Sequence, residues 1–444
     1  MSDTATTELL RDRTRLALEI ARRCGAEQCE VETTRSGGLN VRVRMGKLET
    51  LEHLGEQSLS VTTYLKGAKG SATTSDFSTE AIRATVEKAL TIARYTNPDP
   101  CAGLPDAAEL AREFPPLDLH HPWAIGVEQA QALALEAEEA AFAVDPRIFN
   151  SEGATVSVSE HAVCLGNSLG FLADYAGTHH SLDCAVLARE GDSMERDEWY
   201  TAERSPADLE PAAQVGRRAG EQAVARLHAR RVPTQMAPVL LAPWIASGFI
   251  GHAMSALSGG ALYRRTSFLL DSIGRPIFAP LFTIREDPFI PRAQASAPFD
   301  AEGVAGRQRL IVEGGVVQGY FLSVYSARKL GLRTTGNAGG HYNLIVEPTT
   351  DLDLQGLARE MKRGLIVTEV MGQGVNLVTG DYSRGAAGFW VEGGQIAHPV
   401  SEITISGNLL ELYRRIVAVG SDIDRRGSRH VGSIWIEAMQ IAGD

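Results

Sequence analysis

Three local patterns in this 444-residue chain bring together residue types able to do covalent or metal chemistry. Gly166-Asn167-Ser168-Leu169-Gly170 fits G-x-S-x-G, in which a serine on a strained strand-to-helix turn projects its hydroxyl as a nucleophile. Strand-like runs stand on both sides of it, Ala162 to Leu165 and Phe171 to Ala176, so the pattern reads as a hairpin turn. Ser326-Ala327-Arg328-Lys329 fits S-x-x-K, which on a helix sets a lysine one turn from a serine. A neutral Lys329 amine there would act as base to Ser326, provided that burial lowered its pKa. The partner motifs S-x-N and K-T-G of serine acyl-enzymes are not apparent.

The third pattern is histidine. His120-His121 and His179-His180 are adjacent pairs, and on a strand neighbours point to opposite faces, so neither pair closes on one ion. Hydrolytic zinc sites gather ligands one helical turn apart, as in H-E-x-x-H, and this sequence has no His-Glu dipeptide. His252 lies in an apolar helical stretch with Ser255 and Ala256 at the following-turn positions, and has no local co-ligand. No local metal motif is visible.

The elements around these residues fall into three segments. Residues 1–110 open with an amphipathic helix, Leu9 to Arg23, followed by β-type runs at Glu30 to Thr34, Leu39 to Arg44 and Ser58 to Leu65, punctuated by Gly37-Gly38 and Gly46. A helix over Ala81 to Tyr95, with Asp76 and Ser78 as candidate caps, ends before Asn97-Pro98-Asp99-Pro100. Residues 111–231 repeat the order loosely: a helix at Val127 to Phe142, short strands, then a helix near Pro211 to Leu227. Residues 232–444 are rich in Gly and β-branched residues, with helical signals only at Trp244 to Leu257, Ser326 to Leu330, Leu354 to Arg363 and Leu409 to Arg415. The fold expected is α+β: two similar helix-strands-helix layers, then a large, mostly antiparallel, curved and barrel-like sheet with embedded helices.

Composition narrows the partners. A net charge of -12 argues against a phosphate-tracking surface and hence against nucleic acid as the main partner; Arg425, Arg426 and Arg429 are the candidate for a local basic patch, or else belong to a solvated loop. Pro238 to Tyr263 is long enough to span a membrane, but Pro243, its glycines and serines, and His252 point to a buried strand and core helix instead. Five cysteines cannot all pair within one chain, and they read as reduced thiols of a cytoplasmic protein without a leader peptide.

Longer stretches carry a more specific signal. Ala246 to His252, Leu262 to Ser272, Ala297 to Val304, Tyr325 to Gly331, Thr335 to Gly340 and Val417 to Asp424, with Glu195 to Tyr200 upstream, resemble in order and spacing the TldD/PmbA peptidase family and its PmbA (TldE) branch. That resemblance covers almost the whole chain. It implies a cytoplasmic two-subunit metalloprotease acting on unfolded or modified peptides, including precursors of microcin-type antibiotics. The zinc, held by H-E-x-x-x-H and a distant cysteine, is expected in a TldD-like partner. Here Ile250, Gly251 and Ser255 stand where His, Glu and His would be, and Asp424 to His430 lacks the cysteine. The expectation is a chain with no metal or catalytic residue of its own, holding extended peptide in a chamber shared with the partner. His252, Asn337, His341 and Asn343 are the residues expected to face that peptide. Two other readings stand beside it: an autonomous peptidase using Ser326 and Lys329 or scattered histidines, and a homodimer that binds peptide without cleaving it.

Overall fold

The computed structural model describes residues 3–443. The first layer comprises α1 (Asp3–Arg23), β1 (Gln28–Arg44), β2 (Lys47–Leu65), β3 (Ala68–Thr74) and α2 (Thr79–Tyr95). The second comprises α3 (Val127–Phe142), β4 (Ile148–Asn167), β5 (Leu172–Glu190), β6 (Ser193–Glu203) and α4 (Ala212–Ala225). Their strands form one antiparallel sheet, ordered β3-β2-β1-β4-β5-β6, in which β1 and β4 pair along the middle.

All four helices cover one face of this sheet. Alternation along β1 buries Val31, Leu39, Val41 and Val43 on the same side. Val31 packs with α1, α2, Leu59 and Val61. Leu39, Val41 and Val43 pack with α3, α4, Val156 and Leu182. Gly37 and Gly38 do not break β1 as expected. They lie inside it, because a Cβ on Gly38 would stand 2.3 Å from the Val158 carbonyl oxygen of β4. Ser78 caps α2 by accepting from the Ala81 N–H, while Asp76 accepts from the Ser78 N–H.

The remaining chain runs β7 (Gln235–Leu241), α5 (Pro243–Ala256), α6 (Gly259–Tyr263), β8 (Ile284–Asp287), β9 (Arg309–Glu313), β10 (Val316–Val317), α7 (Val324–Leu330) and β11 (Asn343–Val346). It continues through α8 (Leu354–Met361), β12 (Gly364–Met371), β13 (Asp381–Glu392), β14 (Gln395–Asn408), α9 (Leu409–Arg414), β15 (Ile416–Val419), β16 (Arg429–His430) and β17 (Ile434–Ala442). β14-β13-β12-β7-β17 close on themselves through β14–β17 pairing, which makes a barrel, and β15 joins the outside of β17. A second sheet, β10-β9-β8-β11-β16, packs beside it. The segment from Pro238 to Tyr263 is the end of β7, then α5 and α6, and no described helix is long and apolar enough to cross a membrane. All five cysteines are free.

An aromatic stack fixes α5 in this core. Phe278 lies between Phe282 and Tyr413, at 5.0 and 4.7 Å between ring centroids, and the Tyr413 hydroxyl donates to the Phe249 carbonyl at 3.0 Å.

Candidate functional site: the outer face of α5

Helix α5 buries Ala246, Phe249, Ile250, Ala253 and Met254 in the barrel core. Helical spacing therefore turns Ser247, Gly248, Gly251, His252 and Ser255 outward. This face is nearly bare of large side chains, and the guanidinium of Arg429 from β16 lies on it. A Cβ at Gly251 would be only 3.2 Å from the central guanidinium carbon, so glycine is what lets Arg429 settle against the helix. Arg429 Nε donates to Ser247 Oγ at 3.3 Å, and Nη1 lies 3.4 Å from His341 Nε2.

Two histidines flank this arginine. His341 Nδ1 faces the Tyr342 carbonyl at 2.7 Å and so carries the ring proton, leaving the Nε2 lone pair to accept from Arg429. Burial lowers the His341 pKa, and the Arg429 charge lowers it further. His252 packs edge-on against Tyr382 of β13 at 5.9 Å, and its pKa falls through burial first and then through Arg384 and Arg429. Burial also lowers the Arg429 pKa.

The structure thus brings His252 and His341 to one locality. It does not bring Asn337 and Asn343 there. The Asn337 side-chain amide donates to Glu286 Oε1 and the Gly340 carbonyl and accepts from Arg309 and Thr335. The Asn343 amide donates to Ser296 Oγ and the Asp287 carbonyl and accepts from the Ala295 N–H. Both are buried with their hydrogen-bonding capacity spent inside the protein, so they brace loops rather than present groups to a peptide.

The serine patterns resolve plainly. Ser168 sits in the β4–β5 turn, where its Oγ accepts from the Cys29 N–H at 3.0 Å, so no nucleophile elbow is formed. Lys329 is ion-paired with Asp99 at 2.8 Å, which raises its pKa and keeps it an ammonium. The hydroxyl of Ser326 is buried against Ser323, and a Cβ at Gly259 would stand 2.2 Å from it. A protonated lysine and an enclosed serine cannot act as base and nucleophile, which corrects the autonomous reading built on that pair.

The three α5 positions compared with the zinc motif supply no ligand. Ile250 is wholly buried in the core, Gly251 has no side chain, and Ser255 Oγ donates back to the Gly251 carbonyl at 3.0 Å. In the segment where a cysteine ligand would be sought, Asp424 is bound by Arg426 at 2.7 Å. Among the described residues no group of three or more His, Cys, Asp and Glu side chains is placed to hold a metal.

Next to this face, a cleft of 1030 Å³ separates the second layer from the barrel, walled by Trp199, Tyr200, Trp244 and Phe389. Trp199 meets Trp244 edge-on at 5.6 Å, and Arg426 stacks 4.2 Å over Trp199. The outer edge of β6 borders the cleft but offers no free carbonyls from Arg196 to Ala202. Arg226 donates to the carbonyl of Arg196, Arg426 to that of Tyr200 and Gln294 to that of Ala202, and the Gln222 amide reaches that of Glu198 once its nitrogen is turned toward it.

Ser247 and Arg384 were not singled out from the sequence, and nothing there joined Arg429 to α5. The one available signal is the run of small residues Ser247, Gly248, Gly251 and Ser255 at helical spacing, which marks a close approach.

Comparison with known proteins gives the family. Models of the PmbA/TldA metallopeptidase match domain 1 over residues 29–93, the central domain over 120–227 and the C-terminal domain over 234–443. Metalloprotease PmbA of Escherichia coli O157:H7 is 44% identical over 439 residues, covering 99% of this chain and 97% of that protein. A Bacteroides thetaiotaomicron crystal structure, described as a candidate modulator of DNA gyrase, superposes with a TM-score of 0.92 at 27% identity, covering 98% of each chain. TldE from Thermococcus kodakarensis shares the fold, with a TM-score of 0.85 at 20% identity over 98% of this chain and 100% of that one. The chain belongs to the PmbA/TldD metallopeptidase family, on its PmbA/TldE branch.

Proposed function

We propose that this chain is the subunit without zinc in a two-chain cytoplasmic peptidase, and that it completes the chamber in which a TldD-like partner cleaves unfolded or modified peptides. The observation that carries the reading is the replacement on α5. An isoleucine, a glycine and a serine stand at the three positions, and an arginine covers the glycine. A guanidinium lying there repels a divalent cation, and no carboxylate is present on that face to activate a water. The bonded edge of β6 adds to the argument, because extended peptide must be held on another surface.

The test compares hydrolysis of an unfolded peptide by this chain alone, a TldD-like subunit alone and an equimolar mixture. Activity in the mixture well above the sum of the separate chains supports the reading. Equal activity with and without this chain overturns it.

A further inference from the structure

We propose that Arg429 is the receptor for a carboxylate of the bound peptide, so that the α5 face carries an anion site where the family's zinc subunit carries a cation. The proposal rests on the peptide-chamber reading and specifies what part of the peptide is held.

Charge bookkeeping around the guanidinium is the first ground. Among the described residues no ion pair involves Arg429, although it is half-buried. The carboxylates within reach of this region are already engaged. Glu286 is held by Arg309 at 2.7 Å, by the Asn337 amide and by the Tyr342 N–H. Asp424 is held by Arg426. Arg384 adds a second guanidinium without an acid, its Nε bonded to the Met371 carbonyl at 3.2 Å. The two neighbouring imidazoles, His252 and His341, have pKa values lowered by burial and bring no negative charge to offset the arginines. In a protein of net charge -12, this is a local concentration of uncompensated positive charge.

Geometry is the second ground. Ser247 and His341 fix the guanidinium plane through Nε and Nη1, while Nη2 bonds no group among the described residues. A guanidinium oriented by neutral groups, with Nη2 left over, is pre-set to donate to a carboxylate oxygen. Gly251 is covered by the guanidinium itself, but Gly248, one turn back on the same helix, has nothing within 4 Å of where a Cβ would stand and leaves space for a peptide end. Partial burial strengthens the attraction, because a half-buried guanidinium is screened less by water than an exposed one.

The experiment is fluorescence anisotropy of the intact chain with an unstructured ten-residue peptide labelled at its N-terminus. Three forms are compared: a free C-terminus, a C-terminal amide, and an amide carrying one glutamate near its end. The free acid is expected to bind about tenfold more tightly than the plain amide, a gain that added salt reduces. Arg429→Met is expected to bring the acid down to the affinity of the amide, and Arg429→Lys to restore only part of the gap. Tight binding of the glutamate peptide assigns the carboxylate to side chains; its failure to match the acid assigns it to the terminus. Equal binding of acid and plain amide by the wild-type chain overturns the anion site and leaves the chamber reading intact. Discrimination that survives in Arg429→Met also overturns it. Failure of every form to bind contradicts the chamber reading itself, and the anion site falls with it. Should Arg429→Met not fold, the acid-to-amide ratio of the wild-type chain and its salt dependence still decide.

Discussion

Arg226 and Glu369 meet at 2.5 Å across the cleft between the second layer and the barrel. The contact is a close pairing of charges rather than an aligned hydrogen bond. Arg226 also faces Glu195 at 3.4 Å and Asp197 at 3.2 Å, so one guanidinium, 10% exposed, balances three carboxylates. Arg226→Ala leaves those acids without a counter-charge and frees the Arg196 carbonyl at the sheet edge. The expected loss is about 2–3 kcal/mol, less than for a fully buried orphaned charge because Glu369 is partly screened by water. Urea denaturation measures it, and a change below about 0.5 kcal/mol would show that the cluster contributes little.

The junction between the first layer and the C-terminal part contains a second set of acids, Glu30, Asp300 and Glu302. Burial pushes Glu30 and Glu302 each up to about 7 and Asp300 up to about 6, and Glu30 and Glu302 also repel one another. Carboxyls raised in the folded state favour folding while protonated. Their contribution is whole below the unfolded value of about 4.3 and is lost as pH rises through about 7. The chain is therefore expected to melt at lower temperature at pH 8 than at pH 5.5. Glu30→Gln is expected to flatten that dependence, as differential scanning fluorimetry across the range would show.

Ser326→Ala is expected to leave hydrolysis by the reconstituted pair within about twofold of wild type. Its hydroxyl serves only Ser323, and Lys329 is committed to Asp99. Steady-state rates on an unfolded peptide provide the check, and a loss beyond tenfold would restore the serine to the chemistry.

Gly216 marks the closest approach of α4 to α3. A Cβ there would lie 1.8 Å from the Ala137 carbonyl oxygen, a backbone atom that cannot rotate away. Gly216→Ala is expected to cost about 1–3 kcal/mol as the two helices are forced apart. A thermal melt gives the answer, and an unchanged midpoint would mean that the helices adjust freely.

Helices were the most legible part of the chain. Val127 to Phe142 is read from its Ala- and Glu-rich composition and is α3. Gly37-Gly38 misled because glycine signals a turn locally, whereas here the cause is a neighbouring strand more than a hundred residues away. β6 was hidden for a related reason. Its run Ser193 to Glu203 is polar because side chains, not a hydrophobic layer, seal its outer edge. Barrel closure depends on Thr404 to Ser406 finding Gln440 to Ala442, a pairing that no local pattern announces. At the site, the run of small residues on α5 was visible in the sequence, but the arrival of Arg429 over Gly251 was not. An arginine in a two-residue strand gives no sign of which helix it will meet.

The division of labour between the two chains is tested most directly by disabling one at a time. The wild-type chain is mixed with a TldD-like subunit whose zinc-binding histidines have been replaced, and peptide hydrolysis and bound zinc are measured together. The account predicts no hydrolysis and no stoichiometric zinc in that mixture, with both restored by the intact partner. Hydrolysis with the disabled partner, or one zinc per copy of this chain, would contradict it.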